Sequence, residues 1–216
     1  MTQALIFYLH GFTSSAQSTK ARFLADRCRE QGVELRCPDF NEPDFARLTM
    51  TRMLDQLETE LEAASEPATL IGSSLGGTLA ILAAARFAPQ VGRLVLLAPA
   101  VVAAKEGDPF LPPERIAEWR RKGALPFFHY SYGAERALDF AFYEDSLRYD
   151  AFATRFSQPA LVFQGLRDVS VDPRSVELFA GDRPNVTLAL LDDDHQLLAS
   201  LPRMWNDMRG FLGFTE

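Results

Sequence analysis

The stretch ATLIGSSLGGTLAILAAARF, residues 68–87, decides the fold. It begins as a short apolar run, passes through the pentapeptide GSSLG with Ser74 at its centre, and continues as an alanine-rich segment. The apolar run predicts a buried strand, and the later segment predicts a helix over Leu75–Phe87. Small glycines suit a sharp turn from strand to helix, where bulky side chains would clash. The stretch therefore predicts a strand–turn–helix unit with Ser74 at its tip.

A serine at such a tip is placed to act as a nucleophile. GSSLG matches the G-x-S-x-G pattern of a nucleophile elbow. The beginning of the following helix adds the positive end of its dipole and free N–H groups beneath the serine. The pentapeptide alone is a weak signal, and the strand and helix around it make it specific. The alternative is that Ser74 only caps the helix.

Outside this stretch, apolar runs alternate with segments of helical spacing. This alternation is typical of a doubly wound α/β fold, with a mostly parallel sheet and helices on both faces. Numbered along the chain, six strands are expected in the sheet order 2-1-3-4-5-6. The predicted strands are Ala4–Leu9, Val33–Cys37, Ala68–Ile71, Arg93–Ala98, Ala160–Gln164 and Val186–Leu191, and the other predicted helices are Thr19–Gln31, Leu48–Ala64, Arg174–Ala180 and Gln196–Leu212.

One long connection interrupts this alternation. Residues 105–155 separate the fourth and fifth predicted strands and are rich in aromatic side chains. Within them, PPERIAEWRRKG predicts a short helix with proline at its start and glycine after its end. A connection of this length in a compact domain is usually a functional insertion. We therefore expect one domain over residues 1–216, with a cap inserted at 105–155.

Four motifs together carry a resemblance to a known family. They are LIFYLHGFTSS, GSSLGG, GLRDVSV and DDDH, and they extend from one end of the chain to the other. Together they resemble the α/β-hydrolase superfamily, and the HGF-x-SS opening with GSSLGG resembles the small YqiA-type bacterial serine esterases. The resemblance implies a minimal α/β-hydrolase fold and a Ser-His-Asp triad, but it does not specify the substrate.

In that superfamily the triad residues follow the chain order Ser, Asp, His. The resemblance therefore implies His195 as the general base, because it follows the last predicted strand. His10 precedes Ser74 and is interpreted as structural, and His129 lies in the cap. Asp168, just after the fifth strand, is the implied acid that orients the imidazole.

Other aspartates are alternatives to Asp168. Asp172 precedes a proline and better suits capping of the next helix. The run Asp192–Asp194 adjoins the histidine and is expected to be solvated. The same resemblance implies that the backbone N–H groups of Phe12 and Leu75 form the oxyanion hole.

The implied activity is hydrolysis of carboxylic esters with short or medium acyl chains, through an acyl-enzyme and without a metal or organic cofactor. Trp119, Phe127 and Phe128 are the candidates to line an apolar pocket in the cap. An acyl thioesterase with the same triad is one alternative. A ligand-binding or partner-binding protein on a hydrolase scaffold is another, because a fold alone does not prove a function.

The composition agrees with a small-molecule enzyme. The net charge of −7 argues against nucleic acid as a partner, because phosphate binding needs clustered Lys and Arg. No run of about 18 apolar residues predicts a membrane span, and the first residues show no signal-peptide pattern. Cys28 and Cys37 have no metal-site or CxxC spacing, so two free thiols and a cytoplasmic location are expected. The sequence does not predict an oligomeric state.

Overall fold

A computed structural model describes residues 5–102 and 111–214. Six parallel strands form one sheet, and an antiparallel hairpin forms a second, separate sheet. The strands are β1 (Ile6–Leu9), β2 (Leu35–Arg36), β3 (Ala68–Ser73), β4 (Val91–Leu97), β5 (Ala124–His129), β6 (Ala134–Asp139), β7 (Ala160–Gly165) and β8 (Val186–Leu191). The main sheet has the order β2-β1-β3-β4-β7-β8, which confirms the predicted order.

Seven helices surround the sheet among the described residues. They are α1 (Thr19–Glu30), α2 (Met50–Glu62), α3 (Leu75–Arg86), α4 (Pro113–Lys122), α5 (Ala141–Ser146), α6 (Pro173–Gly181) and α7 (Leu201–Leu212). Successive side chains of a strand point to opposite faces of the sheet, so two apolar layers are buried. One layer contains residues of α1 and α7, and the other contains residues of α2, α3 and α6.

The segment between β4 and β7 packs on the α2 and α3 side of the sheet. Its described part contains α4, the β5–β6 hairpin and α5, and its buried side chains belong to the same apolar cluster as α2 and α3. The beginning of α2 is tied to α5, because the Asp145 carboxylate accepts hydrogen bonds from the Thr51 backbone N–H (2.7 Å) and hydroxyl (2.6 Å). The predicted cap range begins at 105, and residues 105–110 lie outside the described part.

Three parts of the structure differ from the sequence-based expectation. The β5–β6 hairpin and α5 are not predicted, because they are short and lie in a connection without a regular apolar pattern. The last helix begins at Leu201 rather than at Gln196. Leu197 has a left-handed backbone (φ +56°), and the carboxylate of Asp193 accepts the N–H of Ser200 at 2.9 Å, so the intervening residues form a loop. Among the described residues, no helix is both long and apolar enough to span a bilayer.

Candidate active site

Ser74 occupies the turn between β3 and α3 in a strained conformation. Its φ of +53° and ψ of −116° lie where non-glycine residues rarely occur. The turn is fixed by backbone hydrogen bonds from the Ser74 N–H to the Leu97 carbonyl (3.0 Å) and from the N–H groups of Thr78 (3.2 Å) and Ala100 (3.1 Å) to the Ser74 carbonyl. These bonds hold the hydroxyl above the carboxyl edge of the sheet.

Close packing of α3 against the sheet requires glycine after the serine. A Cβ on Gly76 would overlap the carbonyl group of Leu9 in β1, and a Cβ on Gly77 would lie 2.7 Å from the Cβ and 2.9 Å from the Cα of Pro99. Neither neighbour is the end of a flexible side chain, so neither can easily move aside. The glycines of the GSSLGG motif thus allow the first turn of α3 to lie directly beside the end of β1.

The structure brings Ser74, His195 and Asp168 together in one hydrogen-bonded chain. His195 Nε2 lies 3.1 Å from Ser74 Oγ, and His195 Nδ1 lies 2.8 Å from Asp168 Oδ2. An ionised carboxylate can only accept, so Nδ1 carries the proton and Nε2 of the neutral ring is free to accept the serine proton. The three residues come from the loops after β3, β7 and β8, which are far apart in the sequence.

The Asp168 carboxylate has a hydrogen-bonding partner on every side. Oδ1 accepts the backbone N–H groups of Ser170 and Val171, each at 2.8 Å, and Oδ2 accepts the side-chain amide of Gln164 at 2.9 Å besides His195. Burial by itself raises the pKa of this carboxyl. The pKa nevertheless lies below its ordinary value, because hydrogen bonds from His195, the Val171 N–H and Gln164, together with the charge of His195, stabilise the carboxylate. Asp168 is therefore an anion held in one orientation at neutral pH.

The loop that carries His195 rests on the end of β7. A Cβ on Gly165 would lie 2.6 Å from the carbonyl oxygens of both Asp193 and Asp194, so only glycine allows this approach. The Asp193 carboxylate stabilises the loop by accepting the backbone N–H groups of Asp194 (2.8 Å) and Ser200 (2.9 Å). Burial alone would raise the pKa of Asp193, but the hydrogen bonds that its carboxylate accepts have a larger effect, so its pKa is lowered below the ordinary value.

The rival aspartates have other partners. Asp172 caps α6 by accepting the N–H of Arg174 at 3.0 Å, as expected. Asp192 forms an exposed ion pair with Arg167 at 2.6 Å. The prediction that all three aspartates of the DDDH motif are solvated is wrong for Asp193, which is buried because its carboxylate holds the backbone of its own loop.

The other two histidines make structural contacts. His10 Nε2 accepts the N–H of Phe40 at 3.1 Å, and its Nδ1 lies 3.0 Å from the carbonyl oxygen of Gly11. His129 Nε2 lies 3.0 Å from the side-chain oxygen of Asn41. Both rings are buried and hydrogen-bonded away from the triad.

The loop after β1 lies directly against Ser74. A Cβ on Gly11 would lie 3.3 Å from the Cβ of Ser74, and the next residue, Phe12, lines the same cavity as the serine. Leu75 is the first residue of α3, so its N–H has no helical acceptor four residues earlier. Phe12 and Leu75, whose backbone N–H groups are expected to form the oxyanion hole, thus line the same cavity as Ser74.

A cavity of about 890 Å³ opens above Ser74. Trp119 and Phe127 line it, as expected, and Phe12 contacts the Phe127 ring with centroids 5.5 Å apart. The prediction for Phe128 is wrong. Adjacent side chains of β5 point to opposite faces, so Phe128 turns away from the cavity, is 51% exposed and packs against Tyr130.

With this geometry established, the chain can be compared with known proteins. The model of an uncharacterised protein family, UPF0227, matches residues 5–206. The chain belongs to this family. No curated protein sequence matches it.

Solved structures with the same fold are α/β hydrolases. A putative hydrolase from Agrobacterium vitis S4 is 25% identical, with a TM-score of 0.84 over 97% of this chain and 88% of the other. Mouse α/β-hydrolase domain-containing protein 10 is 21% identical, with a TM-score of 0.81 over 96% and 89%. Est1E from Butyrivibrio proteoclasticus, with ferulic acid bound, is 19% identical, with a TM-score of 0.81 over 97% and 88%. The fold of this family member is therefore that of the α/β hydrolases.

Two residues that support the triad are not predicted from the sequence. Gln164 is fully buried and holds Asp168, and Gly165 admits the His195 loop. A signal for Gln164 was present, because a polar residue ends an otherwise apolar strand in ALVFQG. Gly165 gave no such signal, since the approach of a loop to a strand end depends on the tertiary structure.

The β5–β6 hairpin is fastened to the loop after β1. Besides accepting from His129, the Asn41 side chain donates to the Ser14 carbonyl at 2.9 Å, and the Tyr130 N–H donates to the Thr13 carbonyl at 3.0 Å. Asn41 is buried and therefore acts as a clamp between the two segments. Nothing in the sequence pattern indicated this role.

Proposed function

We propose that this protein is a serine hydrolase that cleaves carboxylic esters through an acyl-enzyme. The observation that carries the proposal is the chain of contacts from Ser74 Oγ through His195 to Asp168, at 3.1 and 2.8 Å. It lies at the floor of a cavity with aromatic walls, beside a loop that approaches the serine from the end of β1. A merely helix-capping serine would need neither the imidazole nor the strained turn.

In the acylation step, Ser74 Oγ attacks the acyl carbon of the ester while His195 Nε2 takes the hydroxyl proton. The oxyanion that forms accepts the N–H groups of Phe12 and Leu75, each such donor typically lowering the barrier by about 2.7–4 kcal/mol. Asp168 stays ionised and stabilises the imidazolium. The carbon–oxygen bond to the alcohol then breaks, and His195 returns the proton to the leaving oxygen.

In the deacylation step, His195 takes a proton from water, which attacks the acyl carbon of the Ser74 ester. Collapse of the second tetrahedral intermediate releases the carboxylic acid and returns the proton to Ser74. Protein side chains and water supply every proton in this sequence. No group of three or more His, Cys, Asp or Glu side chains within 5–102 and 111–214 is arranged to hold a metal ion.

We propose that residues 105–155 form a cap within a single hydrolase domain, and that Trp119 and Phe127 bind the apolar acyl part of the ester. Trp119 supports this assignment, because it is buried between the cap and the cavity and its ring centroid lies 5.0 Å from that of Phe127. Phe142 adds a third ring that stacks on Phe12 at 5.4 Å. Short and medium acyl chains fit an apolar space bounded by such rings.

Ser74→Ala tests the proposal, with Ser73→Ala as the matched control. Hydrolysis of para-nitrophenyl butyrate and covalent labelling by a fluorophosphonate should both be lost in Ser74→Ala, with kcat falling by about three orders of magnitude or more. Both should persist in Ser73→Ala, whose hydroxyl is buried in β3. A wild-type protein that is neither labelled nor active would instead favour a binding protein on a hydrolase scaffold.

A second measurement decides between an ester and a thioester substrate. The two classes share the triad and the acyl-enzyme, so the labelling experiment cannot separate them. Wild-type kcat/KM is compared for a butyryl ester and a butyryl thioester with leaving groups of the same size. A higher value for the ester is expected, and a reversed preference would assign the chain to the thioesterases.

A further inference from the structure

The cavity above Ser74 extends to both sides of the sheet. On one side it is lined by aromatic and apolar side chains of the cap and of α2, including Trp119, Phe127 and Met50. On the other it reaches the first turn of α1, where Lys20 and Arg22 line it. Because α1 packs with α7 on the sheet face opposite the cap, these are two arms that meet at the nucleophile. We call them the cap arm and the α1 arm.

The α1 arm contains a buried cation without a counterion. Lys20 is only 6% exposed, lines the cavity, and forms no hydrogen bond or ion pair with any residue in the described ranges. Burial lowers the pKa of its amine to about 8, although the charges of Asp168, Asp194 and Asp193 act in the opposite direction. An ammonium group has three donors, and the Lys20 nitrogen keeps some accessible surface in the cavity, where a ligand can pair with them.

The nearby carboxylates are already committed to other partners. Both oxygens of Asp168 hold backbone or side-chain donors of the triad loops. Asp193 holds the N–H groups of Asp194 and Ser200. These carboxylates attract the Lys20 ammonium through longer-range electrostatics, but they form no salt bridge with it. The amine is therefore available to a group that enters the cavity.

The charge of the residues that line the cavity favours an anionic ligand. The chain has 29 acidic and 22 basic residues, yet no Asp or Glu is among the described residues that line the cavity. Lys20 and Arg22 line the α1 arm, and Arg115 of α4 lines the cap arm, where its guanidinium lies over the Phe127 ring. A concave site lined by one sign of charge concentrates ligands of the opposite sign.

The position of Lys20 identifies which part of the ester would carry the charge. His195 must reach the leaving oxygen to protonate it, so the alcohol part lies next to the imidazole. Lys20 and His195 line the same cavity, and α1, which carries Lys20, packs against α7, the helix that follows the His195 loop. The α1 arm is therefore on the leaving-group side, and the cap arm receives the acyl chain.

We propose that Lys20 is a specificity-determining residue that binds a carboxylate or phosphate on the alcohol part of the ester. This proposal rests on the esterase function proposed above. It adds a second feature to the substrate: an apolar acyl chain at one end and an anionic alcohol or phenol at the other. The two possible anions share one recognition chemistry, a charge-assisted hydrogen bond to the ammonium.

The test uses three aryl butyrates that differ in the para substituent of the phenol. Butyrate is esterified to the phenolic oxygen of para-hydroxybenzoate, of methyl para-hydroxybenzoate, which is neutral, or of para-hydroxyphenyl phosphate. The variants are Lys20→Met, Lys20→Arg, and Lys122→Met as the control, since Lys122 is an exposed cation paired with Glu118 at 2.6 Å. Each variant is compared with wild type on each substrate, so intrinsic differences between leaving groups cancel.

Lys20→Met should lower kcat/KM for at least one anionic ester by about ten-fold or more, mainly through KM. It should leave the neutral ester within about two-fold of wild type, and Lys20→Arg should restore most of the loss. The anionic ester with the larger loss identifies carboxylate or phosphate as the preferred group. Equal losses on all three esters would overturn the proposal, because Lys20 would then act on the fold or the triad. Unchanged values on both anionic esters would overturn it as well.

A binding measurement separates this proposal from the esterase function. Titration calorimetry gives the Kd of para-hydroxybenzoate and of para-hydroxyphenyl phosphate, the released products, without any turnover. Weaker binding of either anion by about ten-fold in Lys20→Met supports the anion site even if no ester is cleaved. Equal binding of both anions by wild type and Lys20→Met refutes the site, whatever the esterase assays give.

Discussion

Gly165→Ala should reduce turnover without touching any reacting group. The added methyl group would lie 2.6 Å from two backbone carbonyl oxygens of the His195 loop, whereas ordinary contacts begin near 3.4 Å. The loop must therefore retreat from β7 by about 0.8 Å, and it carries the imidazole away from Ser74 and Asp168. A displacement of about 1 Å at a catalytic group can cost about a hundred-fold in rate. We expect kcat to fall by about 10- to 100-fold, or about 1.4–2.7 kcal/mol of transition-state stabilisation.

The assay is steady-state hydrolysis of para-nitrophenyl butyrate together with thermal unfolding. KM should change less than kcat, because most of the residues that line the cavity lie outside the displaced loop. Overpacking should cost about 1–3 kcal/mol of stability and lower Tm by several degrees. Gly210→Ala is the control, since no atom lies within 4 Å of its added Cβ in α7, and it should keep wild-type kcat. If Gly165→Ala lowers Tm but retains full kcat, the contact with β7 does not position His195 and the reasoning fails.

Three further results are expected. Asp168→Asn should lower kcat by about 10⁴-fold, because the imidazole loses the partner that fixes its tautomer. Asp172→Asn should keep both kcat and stability close to wild type, because the Asn side-chain oxygen can still accept the Arg174 N–H as a helix cap. Phe127→Ala should shift the preferred ester towards longer acyl chains by enlarging the cap arm, whereas Phe128→Ala, whose ring is outside the cavity, should leave the chain-length profile unchanged. The stability difference between wild type and Lys20→Met should change with pH. The Lys20 amine has a pKa of about 8 in the folded protein and 10.5 in the unfolded chain, so the unfolded chain binds more protons between these two pH values. The free energy of unfolding of wild type should therefore rise by about 3 kcal/mol relative to that of Lys20→Met as the pH rises through this range, as measured by urea denaturation.

The sheet was predictable because its strands leave strong local patterns. The central strands β1, β3, β4 and β7 are short apolar runs, and parallel strands covered on both faces need such runs. Ser74 could be located for the same reason, since the strained turn requires glycines at fixed spacing. Asp168 and His195 were located by their positions after β7 and β8 in a known chain order.

The remaining features depend on contacts between distant segments. Phe127 and Phe128 are adjacent in an apolar run, and only the pairing of β5 with β6 determines which ring faces the cavity. The start of α7 was misplaced because Asp193 holds Ser200 in a loop, a contact that the helical spacing of the sequence does not reveal. Lys20 appeared to be an ordinary helix residue, and its burial follows from the packing of α1 beside the triad loops.

The Asn41 clamp has a consequence for protein engineering. The hairpin and the loop that bears Phe12 are joined by hydrogen bonds through Asn41 and through the Tyr130 N–H, so the hairpin that covers the cavity and the loop proposed to form the oxyanion hole are held in a fixed relative position. A chimera that exchanges only the segment between β4 and β7 can keep the backbone bond to Thr13, but it loses the bond to Asn41 unless the new segment has a donor at position 129. A transferable module for altering selectivity should therefore include the loop around Asn41, so that the proposed oxyanion loop keeps its support.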